Sequence, residues 1–538
     1  MPREGVAMGV VTSTQPDQDT EARPAAMSTR ARVWTVILAC FGLSLVMSSM
    51  VALNTALGDI AVETGASQTQ LTWIVDSYTL VLACLLLPAG ALGDRFGRRG
   101  ALIVGLVVFS LASVAPLIWM TADTLIMARA AAGVGAAFVM PATLSLITTA
   151  YPRDERAKAV GIWAGVSGAG GMIGMLGSGV LLRYWEWPSI FWAFALCAAA
   201  LVPLTLTMPN SRDDDPKPLD WIGSMLIGAA VAAFVLGILE APIRGWSDPV
   251  VYGCLVAGAL LAGLFALVEL RRRHPLLDVR LFADTQFATG AASVTVLFLA
   301  LFGFFFVIIQ HVQLIMGYSA LMTAFAISPL SVPMLALSAT SFWFVPKLGL
   351  RLVVFLGLML ISVGYLMLRI LETDSPYWHL AVPMLVLSCG IGLCVAPTTS
   401  AIMTSVPDAK QGVASAVNDA TREIGAALGI ALAGSMLASQ YTRSVAPELN
   451  TFPEQIQEAA GRSLGEAMGA AERLGPQGQV LLDLSRAAFV DGVHASLTAL
   501  AILIAVTAVL IGLWAPGRDG RQLAFVRRFR ARRLTRQD

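Results

Sequence analysis

Four charged residues, Asp76, Arg129, Asp419 and Glu423, lie inside long apolar segments of the sequence. An ionised side chain at the centre of a bilayer costs about 2.5–3.5 kcal/mol on insertion scales, so such a group needs a partner or a watery cavity. Acids inside membranes are usually functional for this reason. These four residues are therefore our candidates for proton coupling, with the three acids as the groups that bind and release a proton.

Asp76 and Arg129 form the first candidate pair, because their two segments start from the same side and place them at similar depth. A carboxylate beside a cation can titrate and respond to protonation, which is the functional interpretation. The alternatives are a permanent structural ion pair, or an aspartate that simply faces the outer water. The sequence favours the functional interpretation.

Asp419 and Glu423 form the second pair, with Arg422 between them in the sequence. Residues four apart lie on one helical face, about 6 Å from each other. Two carboxylates that close disfavour simultaneous ionisation, which suits a group that exchanges protons near neutrality. Alternatively, Arg422 pairs with Asp419, either as a structural ion pair or leaving Glu423 as the titrating member.

Large aromatic side chains in the same segments could bind a flat, lipophilic cation by stacking and by cation–π contact. The candidates for a substrate pocket are Trp73, Tyr78, Trp163 and Phe305, together with Asn54. Most aromatic residues in a membrane bundle face lipid or pack against neighbours, so each of them also has a structural interpretation.

The composition identifies the elements that hold these residues. Of 538 residues, 57% are hydrophobic and 13% charged, and the mean hydropathy is +0.73. A soluble domain carries about a quarter charged residues, so too little polar surface remains to cover a water-soluble particle. The six cysteines lie in apolar segments without metal-ligand spacing. We find no nucleophile–base cluster, and we expect no enzyme, cofactor, metal site or nucleic-acid partner.

A helix needs about 20 apolar residues to cross a membrane. Fourteen such segments are present, which predicts an all-α integral membrane protein. They lie near residues 33–57, 70–92, 100–120, 123–146, 157–182, 188–208, 220–240, 249–269, 286–310, 320–345, 350–370, 378–402, 412–438 and 493–516.

The distribution of Lys and Arg between short loops predicts the orientation, since these residues accumulate on the cytoplasmic side. The short inner loops hold fifteen Lys and Arg residues, whereas the short outer loops hold only Arg183, Arg244 and Arg369. Both termini are therefore expected in the cytoplasm, and an Arg-rich tail at 517–538 is expected to contact anionic lipid. The outer loop 441–490 is expected to form a helical hairpin or a passive spacer. The basic residues of the inner loops are Arg95, Arg98, Arg99, Arg153, Arg156, Lys158, Arg212, Lys217, Arg271, Arg272, Arg273, Arg280, Lys347, Arg351 and Lys410.

The loop between the second and third segments reads GALGDRFGRRG, from Gly90 to Gly100. It resembles the signature loop of the major facilitator superfamily, and a degraded copy, FVPKLGLR, follows at 344–351. The resemblance implies two six-helix halves, 33–208 and 285–516, separated by two inserted helices and a basic linker at 209–284, with a cytoplasmic tail at 1–32. The loop residues implied in the conformational switch are Gly90, Gly93, Asp94, Arg95, Gly97, Arg98 and Arg99.

Further segments resemble the fourteen-helix drug:proton antiporters of that superfamily. The fourth segment keeps Arg129 in ARAAAGVGAAF, although Ala132 replaces the usual Gln. Gly170, Gly174 and Gly179 resemble the antiporter glycine motif, in which Met175 replaces the customary proline. In this family the first segment usually carries an acid five residues before its Asn. Here the Asn is Asn54, and the position of the acid is occupied by Ser49.

The resemblance implies a monomeric, proton-coupled exporter of lipophilic, often cationic, drugs in a bacterial plasma membrane, working by alternating access. Ser49 and Met175 leave open an exporter of a lipid or metabolite with altered coupling. A membrane enzyme, or a receptor that works through loop 441–490 or the Arg-rich tail, fits the buried acids and transport motifs less well.

Overall fold

The computed structural model describes residues 27–152, 155–212, 218–273, 275–474 and 478–517. Most of the N-terminal tail and all the arginines of the Arg-rich tail lie outside these ranges, as do Arg153 and Lys217. The described part of the chain is helical, without strands.

Fourteen helices in the described residues are long and apolar enough to cross a membrane, as the sequence predicts. We number them spans 1–14: Thr29–Thr55, Gln70–Phe96, Arg98–Ile118, Ala122–Ala150, Arg156–Tyr184, Pro188–Leu206, Trp221–Ala241, Pro249–Arg271, Thr285–Ile315, Leu321–Ala339, Ser341–Ile370, Trp378–Thr404, Asp408–Asn450 and Gly478–Trp514.

Polar residues just before several spans fix where the helices begin. Ser67 and Gln70 form a capping box, in which each side chain bonds the other residue's backbone N–H. Asp220, Asp248 and Asp284 cap spans 7, 8 and 9 by accepting backbone N–H groups. Each cap satisfies donors that a helix leaves open at its first turn.

The two inserted helices pack against each other, and span 7 also contacts spans 2 and 13. Span 7 packs Val231 and Val235 against Ala83 of span 2, and Ile238 against Ala427 and Ala431 of span 13. The insertion therefore fills the seam between one helix of each half.

Three consecutive spans, 9, 10 and 11, depart from a regular α-helix. Span 9 ends in a π-helical turn, His311–Ile315, and a 3-10 turn, Ser328–Leu330, splits span 10. The helix Ser341–Met367 contains a kink at Gly349, where φ is 79°. The predicted segments 320–345 and 350–370 leave residues 346–349 between them, and two helices meet at Gly349 there, inside the helix that we number span 11.

The segment 441–490 is mostly helical. Span 13 continues as a helix to Val445, and two short helices follow, Glu454–Arg462 and Leu464–Leu474. Residues 475–477 lie outside the described part, and the helix of span 14 begins at Gly478. The Tyr441 hydroxyl donates to the Ala460 carbonyl at 2.7 Å, which ties the short helices to span 13.

Candidate functional site

A cavity of about 420 Å³ lies between the two halves of the molecule. Seven spans form its wall, including span 7 of the insertion through Val235 and Leu239. The wall is mainly apolar, with Met and Phe side chains and a few polar groups. Its other residues are Met50, Val51, Asn54, Thr55, Val75, Asp76, Thr79, Gly171, Met172, Met175, Phe302, Phe305, Phe306, Ile309, Gln310, Gln313, Ile327, Glu423, Ala426, Ala427 and Ile430.

Two carboxylates, Asp76 of span 2 and Glu423 of span 13, face this cavity from opposite halves. No ion pair involves either of them among the described residues. Glu423 is 4% exposed, and its Oε2 atom has no hydrogen-bond partner in the described part of the chain. Among the residues that the structure describes, the cavity wall thus holds two acids and no matching side-chain cation.

Asp419 lies one turn from Glu423 but does not line the cavity. It is fully buried, and its Oδ1 atom accepts from Asn418 Nδ2 at 3.1 Å. Its Oδ2 atom has no partner within the described ranges. Asp419 is therefore a second buried acid behind the cavity wall.

Arg422 is fixed by contacts from both halves rather than by an ion pair with Asp419. Its Nη1 atom donates to Ser167 Oγ at 2.5 Å, and its guanidinium lies 4.6 Å from the ring centre of Trp163 and 4.9 Å from that of Phe298. The structural ion pair considered from the sequence is not formed here, because the planar cation is held between two aromatic rings.

Arg129 does not pair with Asp76, contrary to the sequence-based prediction. Its Nη1 atom donates to Ser49 Oγ at 2.7 Å, its Nε atom donates to the Ile74 carbonyl at 3.2 Å, and its guanidinium lies 4.2 Å from the Tyr78 ring centre. Ile74 and Tyr78 are two residues before and after Asp76, about 200° around the helix. Arg129 and Asp76 therefore lie on opposite sides of span 2.

The aromatic candidates separate into two groups. Phe305 lines the cavity, as does Asn54. Trp73 is 36% exposed and is not part of the cavity wall, so its prediction as a pocket residue is wrong for this conformation. Tyr78 and Trp163 are fully buried, and they stack with Arg129 and Arg422 instead.

Sequence reasoning missed most of the contribution of span 9 to the cavity. Phe302, Phe306, Ile309, Gln310 and Gln313 line it together with Phe305. Their spacing of three and four residues is that of one helical face. That spacing is the signal in the sequence, but it does not stand out because the whole segment is apolar, on every face of the helix.

The signature loop, Gly90 to Gly100, closes one end of the helix bundle by contacting the start of span 13. We call this end of the bundle the basic face. Asp94 Oδ1 accepts from the Gly412 backbone N–H at 2.9 Å, and Oδ2 accepts from that of Val413 at 3.1 Å. Arg98 forms an ion pair with Asp94 at 2.6 Å and donates to the Asp408 carbonyl at 3.0 Å. A carboxylate of the first half thereby caps the N-terminus of span 13 in the second half.

Two other contacts reinforce this closure. Arg156 and Asp408 form a bidentate pair with distances of 2.8 and 2.9 Å. Gly90 and Gly412 approach so closely that a Cβ on Gly90 would lie 2.6 Å from the Gly412 carbonyl oxygen. Gly93 and Arg95 of the predicted switch loop lie on the same stretch of span 2.

The degraded copy of the loop keeps part of this geometry. Gly97 and Gly349 both have positive φ, 113° and 79°, a conformation that favours glycine. Arg99 donates to the Met208 carbonyl after span 6, and Arg351 donates to the Ala515 carbonyl after span 14. The two halves therefore repeat the turn and its arginine contact.

The glycines of span 5 allow close helix packing. A Cβ on Gly170 would lie 2.6 Å from Met47 Cβ, and one on Gly174 would lie 2.5 Å from Ser48 Cα. A Cβ on Gly179 would lie 2.8 Å from Leu321. Gly170 and Gly174 thus bring span 5 against span 1, whereas Gly179 faces span 10.

Comparison with known proteins identifies the class. Residues 37–430 match the Major Facilitator Superfamily, and the chain belongs to this family of transporters. It is a multi-pass membrane protein. The solved structure of the proton:xylose symporter XylE has the same fold, with a TM-score of 0.57 and 14% identity, over 92% of this chain and 98% of that one.

Curated relatives are more similar in sequence. The chain is 32% identical to the multidrug efflux pump LfrA of Mycolicibacterium smegmatis, over 92% of this chain and 98% of that protein. It is also 32% identical to the multidrug resistance protein Stp of Mycobacterium tuberculosis, over 80% of each chain.

Proposed function

We propose that this protein exports lipophilic cations from a bacterial cytoplasm in exchange for protons. The observation that carries the proposal is the pair of cavity carboxylates, Asp76 and Glu423, in a mainly apolar wall whose described residues include no matching cation. The names of its relatives, a multidrug efflux pump and a multidrug resistance protein, support the export of drugs.

Coupling follows from competition between two cations for the same carboxylates. The ionised acids attract an organic cation, whose flat apolar part packs on Phe305 and its neighbours in span 9. Protonation removes the negative charge and with it the attraction, so the substrate leaves. A proton moving inward across 100 mV releases about 2.3 kcal/mol, which drives the return of the empty carrier.

The basic face is the cytoplasmic one in this proposal, because basic loop residues collect there. The contacts of Asp94 and Arg98 then close the cavity from the cytoplasm. Export requires these contacts to break and re-form in every cycle as the two halves rock around the cavity.

Ser49 stands at the position where the drug:proton antiporters that the sequence resembles usually carry an acid, and it accepts a hydrogen bond from Arg129. The coupling acids in this chain are therefore Asp76 and Glu423, with Asp419 behind them, and span 1 supplies none. Arg129 contributes by holding spans 1, 2 and 4 together, which keeps Asp76 turned toward the cavity.

The proposal includes the division of the chain made from the sequence: two six-helix halves, an inserted helix pair, a tail that contacts anionic lipid and a monomeric state. The pseudo-repeat of Gly97 and Gly349 supports the two halves. The contacts of span 7 with spans 2 and 13 support an insertion that packs on both.

Proton movement driven by ethidium in proteoliposomes tests the proposal. We expect wild type to move protons when ethidium is added, and we expect Asp76→Asn and Glu423→Gln to lose this movement. Glu372→Gln, which changes an exposed carboxylate, is the control and retains wild-type movement. Absence of ethidium-driven proton movement in wild type would refute the proposed exchange.

A further inference from the structure

Span 13 carries a row of buried polar side chains between the basic face and the cavity. The row consists of Gln411, Ser415, Asn418, Asp419, Arg422 and Glu423. At about 100° per residue these positions fall within roughly 140° of the helix circumference, on one face. With a rise of about 1.5 Å per residue, the row is about 18 Å long.

Each member of the row keeps one buried polar atom without a hydrogen-bond partner in the described part of the chain. Buried polar atoms in proteins are almost always hydrogen-bonded, to protein or to ordered water. Six such atoms on one face of one helix therefore share a cause, and bridging water is the partner that fits a row of both donors and acceptors. The atoms are Gln411 Oε1, Ser415 Oγ, Asn418 Oδ1, Asp419 Oδ2, Arg422 Nε and Glu423 Oε2.

The row ends at two functional places. Glu423 lines the cavity at one end. At the other end Gln411 adjoins Gly412, whose N–H bonds Asp94 at the closed basic face. The row therefore joins the cavity carboxylate to the side of the molecule from which the cavity is closed.

Arg422 interrupts the row between Asp419 and Glu423. Ser167 of span 5 and Thr399 of span 12 accept its hydrogen bonds at 2.5 and 3.4 Å. Ser167 belongs to the first half and span 13 to the second, so this contact must change when the halves move apart. A fixed guanidinium at this place separates the two acids.

We propose that this buried row is a hydrated proton route from Glu423 to the basic face, which Arg422 interrupts while Ser167 holds it. This route rests on the proposed proton-coupled function and gives the proton an exit separate from that of the substrate. When Arg422 is released, the O–H bond of Glu423 breaks and its proton passes to water. That water passes a proton to the Asp419 carboxylate, which releases one toward Ser415 and Gln411, so one proton moves in total.

The first test measures ethidium-driven proton movement in proteoliposomes by stopped flow with a trapped pH-sensitive dye. We expect Asn418→Leu and the milder Ser415→Ala to slow this movement at least tenfold and to leave ethidium affinity unchanged, because neither residue lines the cavity. Thr421→Val is the matched control. It removes a hydroxyl of the same helix, outside the row, that bonds the Asn418 carbonyl at 2.7 Å. Wild-type rates in both row variants would overturn the route.

The second test needs no substrate, so it judges the route even if wild type does not exchange ethidium for protons. Ser167→Ala removes a hydrogen bond that holds Arg422, and we expect a passive proton leak under an imposed pH gradient at least tenfold above wild type. Adding Asn418→Leu to Ser167→Ala should abolish the leak. A leak that persists in the double variant, or no leak in Ser167→Ala, would overturn the route.

Discussion

The contact of Asp94 with span 13 offers a sharp test of how the basic face closes. Its two oxygens accept the backbone N–H groups of Gly412 and Val413, and Arg98 binds Oδ1 as well. Asp94→Asn keeps the size of the side chain but removes the charge. It also replaces one accepting oxygen by an NH₂ group that faces another donor. We therefore expect the open basic face to become more populated.

The magnitude follows from these hydrogen bonds. A hydrogen bond to a charged group contributes about 1.5–3 kcal/mol. Losing one of the two backbone bonds and weakening the other removes about 3 kcal/mol from the closed state alone. Since about 1.4 kcal/mol is a factor of ten, the ratio of closed to open molecules falls about 150-fold.

Distances between two spin labels on the basic face measure this shift. Gly100→Cys is suitable in the first half because, among the described residues, a Cβ there meets no atom within 4 Å. Lys347→Cys is exposed in the second half, and the exposed Cys197 is replaced by Ser. We expect the label distance to lengthen in Asp94→Asn and to stay unchanged in Glu372→Gln. Identical distance distributions in wild type and Asp94→Asn would show that this carboxylate does not hold the basic face closed.

Three further predictions concern packing and recognition. Gly174→Ala should lower the apparent Tm by several degrees because its Cβ would meet the Ser48 backbone at 2.5 Å. Gly177→Ala should leave the Tm unchanged, because a Cβ there meets no atom of the described residues within 4 Å. Equal Tm values for the two variants would contradict the close packing of spans 1 and 5. Ser49→Ala should destabilise the protein by about 1–3 kcal/mol because buried Arg129 loses a hydrogen bond, and an unchanged melting curve would argue against that contact. Phe305→Leu should weaken ethidium binding by about 1 kcal/mol through lost cation–π contact, whereas Trp73→Leu should leave binding unchanged. Fluorescence titration measures both affinities. Weaker binding by Trp73→Leu than by Phe305→Leu would refute our assignment of the cavity wall.

The number of spans and the place of the signature loop could be predicted from the sequence. Apolar length fixes the first, and a specific run of glycines and charges fixes the second. Apolar length alone does not reveal the break in span 10; its local signal is Pro329, which lacks a backbone N–H and disfavours a regular helix.

The side that each helix turns toward the cavity could not be predicted from the sequence. A soluble helix marks its buried side by an apolar stripe, but a membrane helix is apolar on both its lipid-facing and its packed side. Trp73 and Phe305 therefore looked equivalent, although one is exposed and the other lines the cavity. Arg129 was assigned to Asp76 by depth alone, whereas its partner depends on which side of span 2 each group occupies.

The packing of span 7 has a consequence for how a lipophilic cation, the substrate class proposed above, reaches the cavity. Such compounds dissolve in the bilayer, which acts as a two-dimensional reservoir around the transporter. Val231, Val235 and Ile238 fill the seam between spans 2 and 13, so lateral diffusion from the lipid into the cavity is obstructed on that side. At the equivalent seam between spans 5 and 10, no inserted helix lies across the described residues, and a Cβ on Gly179 would lie 2.8 Å from Leu321. The two seams between the halves therefore differ: the insertion covers the seam of spans 2 and 13, and the seam of spans 5 and 10 faces the surrounding lipid without it.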